Sequence, residues 1–298
     1  MADPQRAALP AAAAQPQPNP IAIPNKQPAR LRVDKHASGA APSLAEVWSV
    51  GDWVVTLALG LLAPHVGALT WRSFAPHEGA LAPMLLDASI GAPHVPPREV
   101  HVPGWLLHRL CLGAPLAVLA VLALLPPPPP ARAAPCARPR LLLFSQLALG
   151  LLSSLAVAQF CTRLLKSCVD RLRPDFLERC APRDGVCSAE QSELRDAHDS
   201  FPSEHAALAF AGLGYLSLCL GSRLARVHTP CAGELWKHAV ALAPALVAIG
   251  IGISRLIDNK HHGSDVLVGA LLGQAAALAL YRLRFPTGPA WTMDPLRK

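Results

Sequence analysis

Long apolar runs alternate with short polar segments along most of this chain. Several runs approach or exceed the roughly 18 residues that a helix needs to cross a hydrocarbon core of about 30 Å. This pattern predicts an all-α, polytopic membrane protein with six transmembrane helices. The predicted spans are Val50 to Leu69, Gly104 to Leu125, Leu141 to Leu165, His205 to Gly221, Ala239 to Ile253 and Val266 to Leu283.

Composition supports this interpretation. Of 298 residues, 52% are hydrophobic and 16% are charged, and the mean hydropathy is +0.31. These values exclude an ordinary soluble domain. The net charge of +7 lies largely in segments that we assign to the cytosol, where it fits anionic lipid headgroups. No nucleic-acid motif is present, and we predict no nucleic-acid partner.

The two ends of the chain differ from the apolar middle. Residues 1–43 are rich in Ala, Pro and Gln and contain no apolar signal-peptide core, which predicts a disordered cytosolic tail. A transit peptide is the alternative. Residues 44–285 form the predicted membrane domain, and residues 286–298 form a cytosolic C-terminal tail.

Arginine and lysine in the short loops predict the orientation. Basic loops follow the second, fourth and sixth spans, as at Arg132 to Arg140 and at Arg223 to Lys237. Because such loops stay in the cytosol, both termini are predicted to be cytosolic. We expect a multi-pass protein of the endoplasmic reticulum or plasma membrane, and an organellar membrane stays open.

Three polar clusters lie at the non-cytosolic ends of the predicted spans. Their sequences are KSCVDRLRP (166–174), SFPSEH (200–205) and SRLIDNKHHGSD (254–265). Charged groups beside hydrocarbon are costly and usually mark a place where something is bound or moved. All three clusters face one side of the membrane, so we predict a single composite site on the luminal or extracellular side.

The cations in these clusters suggest a phosphate-binding site. Arg173 and Arg255 can grip an oxyanion through two hydrogen bonds each, and Lys166 adds a point charge. Ser203 precedes a predicted helix, so its hydroxyl and the free N–H groups of the first turn add anion-binding capacity.

The histidines suggest phosphoryl-transfer chemistry. His261 and Asp265 are four residues apart, and in a helical turn the carboxylate could hold the proton on one imidazole nitrogen. The other nitrogen would then be free to attack phosphorus. His205, from a different helix, could protonate the leaving oxygen.

These clusters also carry a family resemblance. They have the forms K-x6-R-P, P-S-x-H and S-R-x5-H-x3-D, in that order. In this respect the chain resembles the type 2 phosphatidic acid phosphatase (PAP2) superfamily, and the eukaryotic lipid phosphate phosphatases in particular. The similarity extends over roughly Val50 to Tyr281 and implies a PAP2/chloroperoxidase-like helical core.

The resemblance implies a role for each matching residue. His261 would be the nucleophile that forms a phosphohistidine, Asp265 would orient it, and His205 would act first as general acid and then as base for water. The phosphoryl oxygens would be bound by Lys166, Arg173, Ser203 and Arg255. The family implies no metal or other cofactor. A metal site built from His261, His262 and Asp265 is the weaker alternative.

One residue departs from the family pattern. Glu204 occupies the glycine position of the P-S-G-H motif. If its carboxylate faced the phosphate-binding cations, it would repel the substrate and weaken catalysis. If it pointed away, it could pair with a neighbouring base. The sequence favours the first arrangement slightly and leaves the second open.

The resemblance implies hydrolysis of phosphatidate and related lipid phosphomonoesters to diacylglycerol-type products and inorganic phosphate. Lysophosphatidate, diacylglycerol pyrophosphate and sphingoid phosphates belong to the same implied substrate class. The alternatives are a polyprenyl diphosphate or sugar phosphatase of the superfamily, and a catalytically weak phospholipid-binding relative. The expected partner is a membrane phospholipid, and homo-oligomerisation is left open.

Three smaller expectations concern residues around the site. Cys180 and Cys187 lie close together in a predicted luminal loop and could form a disulfide in an oxidising compartment. Arg171, Arg179 and His262 are interpreted as solvated or interfacial residues. Gly269 and Gly273 form a small-xxx-small pair, which is typical of close helix packing.

Overall fold

The structure is a computed structural model, and it describes residues 50–69, 84–126, 140–184, 186–225, 227 and 235–285. The predicted tails, residues 1–43 and 286–298, lie outside this described part, as does most of the basic loop between Arg132 and Arg140.

Eight α-helices account for most of the described residues. They are α1 (Val50–Leu69), α2 (Gly104–Leu124), α3 (Arg140–Cys168), α4 (Phe176–Cys180), α5 (Gln191–His198), α6 (Glu204–Leu224), α7 (Leu235–Ile257) and α8 (Gly263–Arg284). A 3-10 turn covers Ala88–Ile90, and α2 contains a π turn at Arg109–Gly113. A two-stranded antiparallel hairpin pairs β1 (Pro182–Arg183) with β2 (Val186–Cys187).

Each predicted span coincides with a helix. Within the described residues, five helices are long and apolar enough to cross a membrane: α2, α3, α6, α7 and α8. The apolar part of α1, Val50–Val66, is shorter, so the predicted count of six is not fully reproduced. The fifth span was predicted too short because α7 continues through interfacial residues such as Trp236 and Lys237. The chain is a multi-pass helical membrane protein.

Helix α6 lies at the centre of the bundle. It packs most extensively against α8 and α7 and also contacts α3, while α1 packs on α3. Apolar side chains from several helices meet in one core around Tyr215 of α6, including Leu119, Leu147, Leu151, Ala277 and Tyr281. The central position of α6 explains why most of its residues are buried.

Two glycines let α8 approach α6 closely. A Cβ atom at Gly273 would lie 2.1 Å from the carbonyl oxygen of Ala207, and one at Gly269 would lie 2.4 Å from that of Ser203. Real Cβ atoms do not approach backbone atoms so closely, which confirms the predicted small-xxx-small packing. The contact at Ser203 brings the first turns of α6 and α8 together.

Different polar side chains lie at the two ends of the helical bundle. At one end Asp52 of α1 pairs with Arg284 of α8 at 2.8 Å, and Arg223 of α6 donates to the carbonyl of Pro126 after α2. The opposite end, called the site end below, carries the N-termini of α2, α6 and α8. This arrangement agrees with an even number of crossings between the start of α1 and the end of α8.

Residues 84–103 and 169–203 cover the site end. A small apolar cluster joins the two segments through Ile90, Phe176, Cys180 and Ala197. A disulfide links Cys180, the last residue of α4, to Cys187 of β2, and this is the pairing considered from the sequence. These segments supply much of the framework around the polar residues described next.

Candidate active site

The structure brings the predicted site residues together at the site end. Lys166 lies in the last turn of α3 and Arg255 in the last turn of α7. Ser203 is the N-cap of α6, His205 is in its first turn, and Asp265 is in the first turn of α8. Arg173 and His261 lie in the intervening loops. The charges of Arg173, Lys166 and Arg255 all act on the His205 ring, and those of Arg173 and Lys166 also act on His261.

His261 is held in one tautomer by the backbone. Its Nδ1 lies 2.7 Å from the carbonyl oxygen of Ser200. A carbonyl can only accept, so Nδ1 carries the proton and Nε2 keeps a free lone pair. Burial, reinforced by the charges of Arg173 and Lys166, lowers the pKa of His261 well below its usual value. The ring is therefore neutral at neutral pH, as a nucleophile must be.

The predicted direct contact between Asp265 and His261 is not made. The Asp265 Oδ2 atom lies 3.9 Å from His261 Nδ1, beyond hydrogen-bond distance. The reason is that α8 begins at Gly263 with His262 as its N-cap, so His261 precedes the helix and does not share a helical face with Asp265.

Asp265 instead acts on His261 through Ser200. The Ser200 hydroxyl donates to Asp265 Oδ2 at 2.6 Å, and the carbonyl of the same Ser200 accepts from His261. Asp265 also accepts from the backbone N–H of His262 at 2.9 Å, which completes a capping box. Ser200 is fully buried. It is a positioning residue that the motif analysis did not identify.

Ser200 ends a short segment that positions several site residues. We call Asp196 to Ser200 the strap. Lys166 Nζ donates to the carbonyl of Asp199, and Arg173 Nε donates to the carbonyl of Asp196 at 2.7 Å. Because these contacts use backbone carbonyls, no side-chain pattern reveals them; the only signal is that the strap directly precedes the P-S-x-H motif.

The strap also supplies a carboxylate to Arg173. Asp196 Oδ1 accepts from Arg173 Nη2 at 2.7 Å, and Asp196 Oδ2 accepts from Arg179 Nη1 at 2.6 Å. Burial works to raise the pKa of Asp196, but the two guanidinium groups outweigh it and lower that pKa. Asp196 is thus ionised and fixes one edge of Arg173.

Arg255 is oriented from the other side of the site. Its Nη2 donates to Asp258 Oδ2 at 2.6 Å, and Asp258 Oδ1 lies 2.5 Å from His101 Nδ1. The ring of His205 is held by a hydrogen bond to the backbone of Val102, and its Nε2 is buried without a hydrogen-bond partner. Segment 84–103 therefore aligns both Arg255 and His205.

Comparison with known proteins gives one family match. Residues 147–288 match the PAP2 superfamily. Over these residues the chain is similar to the PAP2 superfamily. The matched range contains α6, α7 and α8 and every site residue named above except those of segment 84–103. No solved structure matches the chain.

Several curated proteins are similar to the chain. A protein of Schizosaccharomyces pombe named probable diacylglycerol pyrophosphate phosphatase 1 is 41% identical over 49% of this chain and 56% of its own length. Lipid phosphate phosphatase 2 of Arabidopsis thaliana is 38% identical over 46% of this chain and 50% of its own length. Diacylglycerol pyrophosphate phosphatase 1 of Saccharomyces cerevisiae is 39% identical over 46% of this chain and 51% of its own length. The chain spans about half the length of these relatives.

Glu204, which replaces the PAP2 glycine, is paired. Its two carboxylate oxygens each lie 3.0 Å from Nη2 of Arg163, and both side chains are partly exposed. Of the two arrangements left open by the sequence, pairing with a neighbouring base is the one observed. The base is Arg163, one turn before Lys166 on α3, which the motif analysis did not consider.

The loop charges interpreted as solvated are engaged instead. Arg171 Nη1 donates to Asp265 Oδ1 at 2.6 Å, and Arg179 bonds Asp196 with a side chain only 10% exposed. His262 caps α8 and lies 3.2 Å from the Ser89 carbonyl through Nε2. The interpretation of Arg179 as a solvated charge was wrong because the loops fold over the site, whereas Arg171 is paired through a side chain that is still 36% exposed.

A second ionic cluster ties the covering segments to the α7–α8 loop. The fully buried Asp175 accepts from Lys260 Nζ at 3.0 Å and lies 2.7 Å from His94 Nδ1. Lys260 adjoins the nucleophile candidate His261, and its carbonyl lies 3.4 Å from Arg173 Nη1. Within the described part of the chain, no three His, Cys, Asp or Glu side chains are grouped as a metal ion requires.

Proposed function

We propose that this protein is a lipid phosphate phosphatase that hydrolyses phosphatidate and related lipid phosphomonoesters through a phosphohistidine intermediate. One observation carries the proposal: His261, with Nε2 free, lies with His205 and three cations at one end of a membrane-embedded helical bundle. A nucleophile, a second imidazole and an anion-binding group are what phosphoryl transfer requires.

The three cations would bind the phosphoryl oxygens. Arg173 and Arg255 each have one edge fixed by a carboxylate, Asp196 and Asp258 respectively. Arg173 also donates to the backbone carbonyls of Asp196 and Lys260, and Arg255 Nε donates to the Ser254 hydroxyl. The N–H bonds that these contacts do not use would bind the oxyanion. The first turn of α6, capped by Ser203, adds backbone donors. Such fixed donors stabilise the charge of the transition state without having to reorganise.

In the first step, His261 Nε2 attacks phosphorus and forms the P–N bond. The bond from phosphorus to the lipid oxygen breaks, and that oxygen takes a proton from His205, so a diacylglycerol-type alcohol leaves. The Ser200 carbonyl holds the Nδ1 proton throughout and stabilises the positive charge that develops on the His261 ring.

In the second step, water attacks the phosphohistidine. His205 takes a proton from the water, the P–N bond breaks, and inorganic phosphate is released with His261 returned to its neutral form. The two steps restore both histidines to their starting protonation states. The cations can supply the charge stabilisation that a metal ion provides in other phosphoryl-transfer enzymes, so we propose that no metal is needed.

The substrate class follows from the position of the site. It lies at the ends of apolar helices, where a phosphate can leave the bilayer while acyl chains remain in hydrocarbon. The names of the relatives indicate two substrate groups: lipid phosphates and diacylglycerol pyrophosphate. We include both groups and propose that the site faces the lumen or the cell exterior.

The test is phosphate release by purified protein in detergent, with a panel of phosphatidate, lysophosphatidate, diacylglycerol pyrophosphate, a sphingoid phosphate, a polyprenyl diphosphate and a sugar phosphate. We expect turnover of glycerolipid substrates that persists in excess EDTA. Release only from the polyprenyl or sugar compound would overturn the substrate class. Loss of activity in EDTA that magnesium restores would overturn metal independence.

A further inference from the structure

An apolar cavity lies inside the bundle between α1, α2, α3 and α6. It has a volume of about 270 Å³ and is lined almost entirely by hydrocarbon, from residues that include Trp53, Leu57, Gly60, Leu107, Leu155 and Leu208. A cavity with so few polar groups offers water few hydrogen bonds, so its natural occupant is itself apolar. None of the residues that line this cavity takes part in the proposed phosphoryl transfer.

The cavity is lined by two of the helices that carry the predicted phosphate-binding and catalytic residues, α3 and α6. On α3 its lining residues Leu152, Leu155 and Gln159 continue at helical spacing to Arg163 and Lys166, so they share one face of the helix. Seven residues separate Gln159 from Lys166, a rise of about 10 Å along the axis.

Helix α6 also carries both a cavity-lining residue and a predicted catalytic residue on one side. Leu208 lines the cavity and lies three residues after His205, on the same side of α6. That spacing corresponds to less than one helical turn, about 4.5 Å along the axis. On α3, Arg163 lies between the cavity-lining Gln159 and the predicted phosphate-binding Lys166.

The cavity also borders the lipid-facing surface. Leu57 and Leu61 of α1 line it, and both are largely exposed on the outside of the bundle. A hydrocarbon chain can therefore enter sideways between α1 and α2 without crossing a polar layer. The available apolar molecules in such surroundings are lipids.

We propose that this cavity binds one acyl chain of the lipid whose phosphate occupies the candidate active site. The inference rests on the proposed function and adds a chain-selective subsite within α1, α2, α3 and α6. Long-chain substrates would gain affinity from burying methylene groups there, whereas short-chain substrates would not fill it.

The chain offers a matched pair of substitutions to test the subsite. A Cβ atom at Gly60 meets nothing within 4 Å, so Gly60→Leu can fill the cavity without a clash, and Gly51, on the same helix but outside the lining, has the same open surroundings. We expect Gly60→Leu to reduce the ratio of kcat/KM for dioleoyl over dihexanoyl phosphatidate by about tenfold. Gly51→Leu should leave the ratio unchanged. An unchanged ratio in Gly60→Leu overturns the proposal.

A second measurement does not depend on turnover. The His261→Ala variant is incubated with a phosphatidate that carries a photoreactive diazirine on one acyl chain, and labelled peptides are mapped by mass spectrometry. We expect labels on cavity-lining residues of α1, α2 or α3, reduced by excess dioleoyl phosphatidate and by adding Gly60→Leu. Labels confined to residues that do not line the cavity overturn the subsite. Wild-type protein that releases no phosphate but labels the cavity would contradict the proposed function alone.

Discussion

At the scale of single residues, the site depends on hydrogen bonds other than the predicted contact between Asp265 and His261. Asp265 and His261 communicate through Ser200, which uses its hydroxyl for one and its carbonyl for the other. Spacing could not predict this, because the i, i+4 rule holds only inside a helix and α8 starts after His261. The residue types were predicted from the sequence; the connection between them was not.

Ser200→Ala tests this connection. The change leaves the carbonyl in place and removes a hydrogen bond to a fully buried carboxylate, a loss of about 1–3 kcal/mol. We expect kcat to fall about tenfold with little change in KM, because the alignment of His261 is affected and not substrate binding. Ser188→Ala, which removes an exposed hydroxyl at the hairpin, is the control. Wild-type kcat in a folded Ser200→Ala variant would contradict the assignment.

Glu204→Gly tests the pair that replaces the family glycine. Because Glu204 is bonded to Arg163, we expect the substitution to lower thermal stability and not to raise kcat/KM. A double-mutant cycle with Arg163→Gln and Glu204→Gln should give a coupling of about 0.5–2 kcal/mol in the free energy of unfolding. A tenfold rise in kcat/KM would instead mean that the carboxylate damps activity, as the sequence alone slightly favours.

At the scale of helices, the apolar runs predicted the elements well and their contacts only in part. The positions of α1, α2, α3, α6, α7 and α8 follow from hydropathy, since span length and composition are local properties. The contacts of the strap and the ion pairs of Arg171 and Arg179 could not be predicted from hydropathy, because the pairing of a loop charge depends on which segments fold over it. A loop arginine without a motif gives no such signal.

Gly273→Ala tests the close packing of α8 on α6. The added methyl would lie 2.1 Å from the Ala207 carbonyl oxygen, so the helices must separate. We expect a loss of about 1–3 kcal/mol in stability, measured as a lower Tm in detergent, with reduced kcat. Gly250→Ala in α7, where a Cβ meets nothing within 4 Å, should be neutral or slightly stabilising. Equal Tm values for the two variants would contradict the packing argument.

At the scale of the whole molecule, the end of the bundle opposite the site joins the first and last helices through Asp52 and Arg284. The sequence predicts that this end is cytosolic and that the site end faces the lumen or exterior. The arrangement explains how a phosphate could be released into water while the rest of the substrate stays in the bilayer.

The native cysteines can test this orientation. Cys168 is exposed at the site end, whereas Cys136 and Cys231 belong to predicted cytosolic loops outside the described residues. In intact cells or sealed vesicles of known orientation, a membrane-impermeant thiol reagent should modify Cys168 from the luminal or outer side. It should reach the other two only from the cytosolic side. Modification of Cys168 from the cytosolic side alone would reverse the topology.

The most direct measurement is transfer of phosphate from lipid to His261. Wild-type protein is mixed with radiolabelled phosphatidate, quenched within milliseconds in alkaline denaturant, and the labelled peptide is sequenced by mass spectrometry. In the wild-type protein we predict phosphate on His261. The His205→Ala variant should carry an altered amount of labelled protein, because both steps use His205. Folded His261→Ala should show neither label nor turnover. Phosphate release by His261→Ala at a rate near that of the wild type would contradict the account.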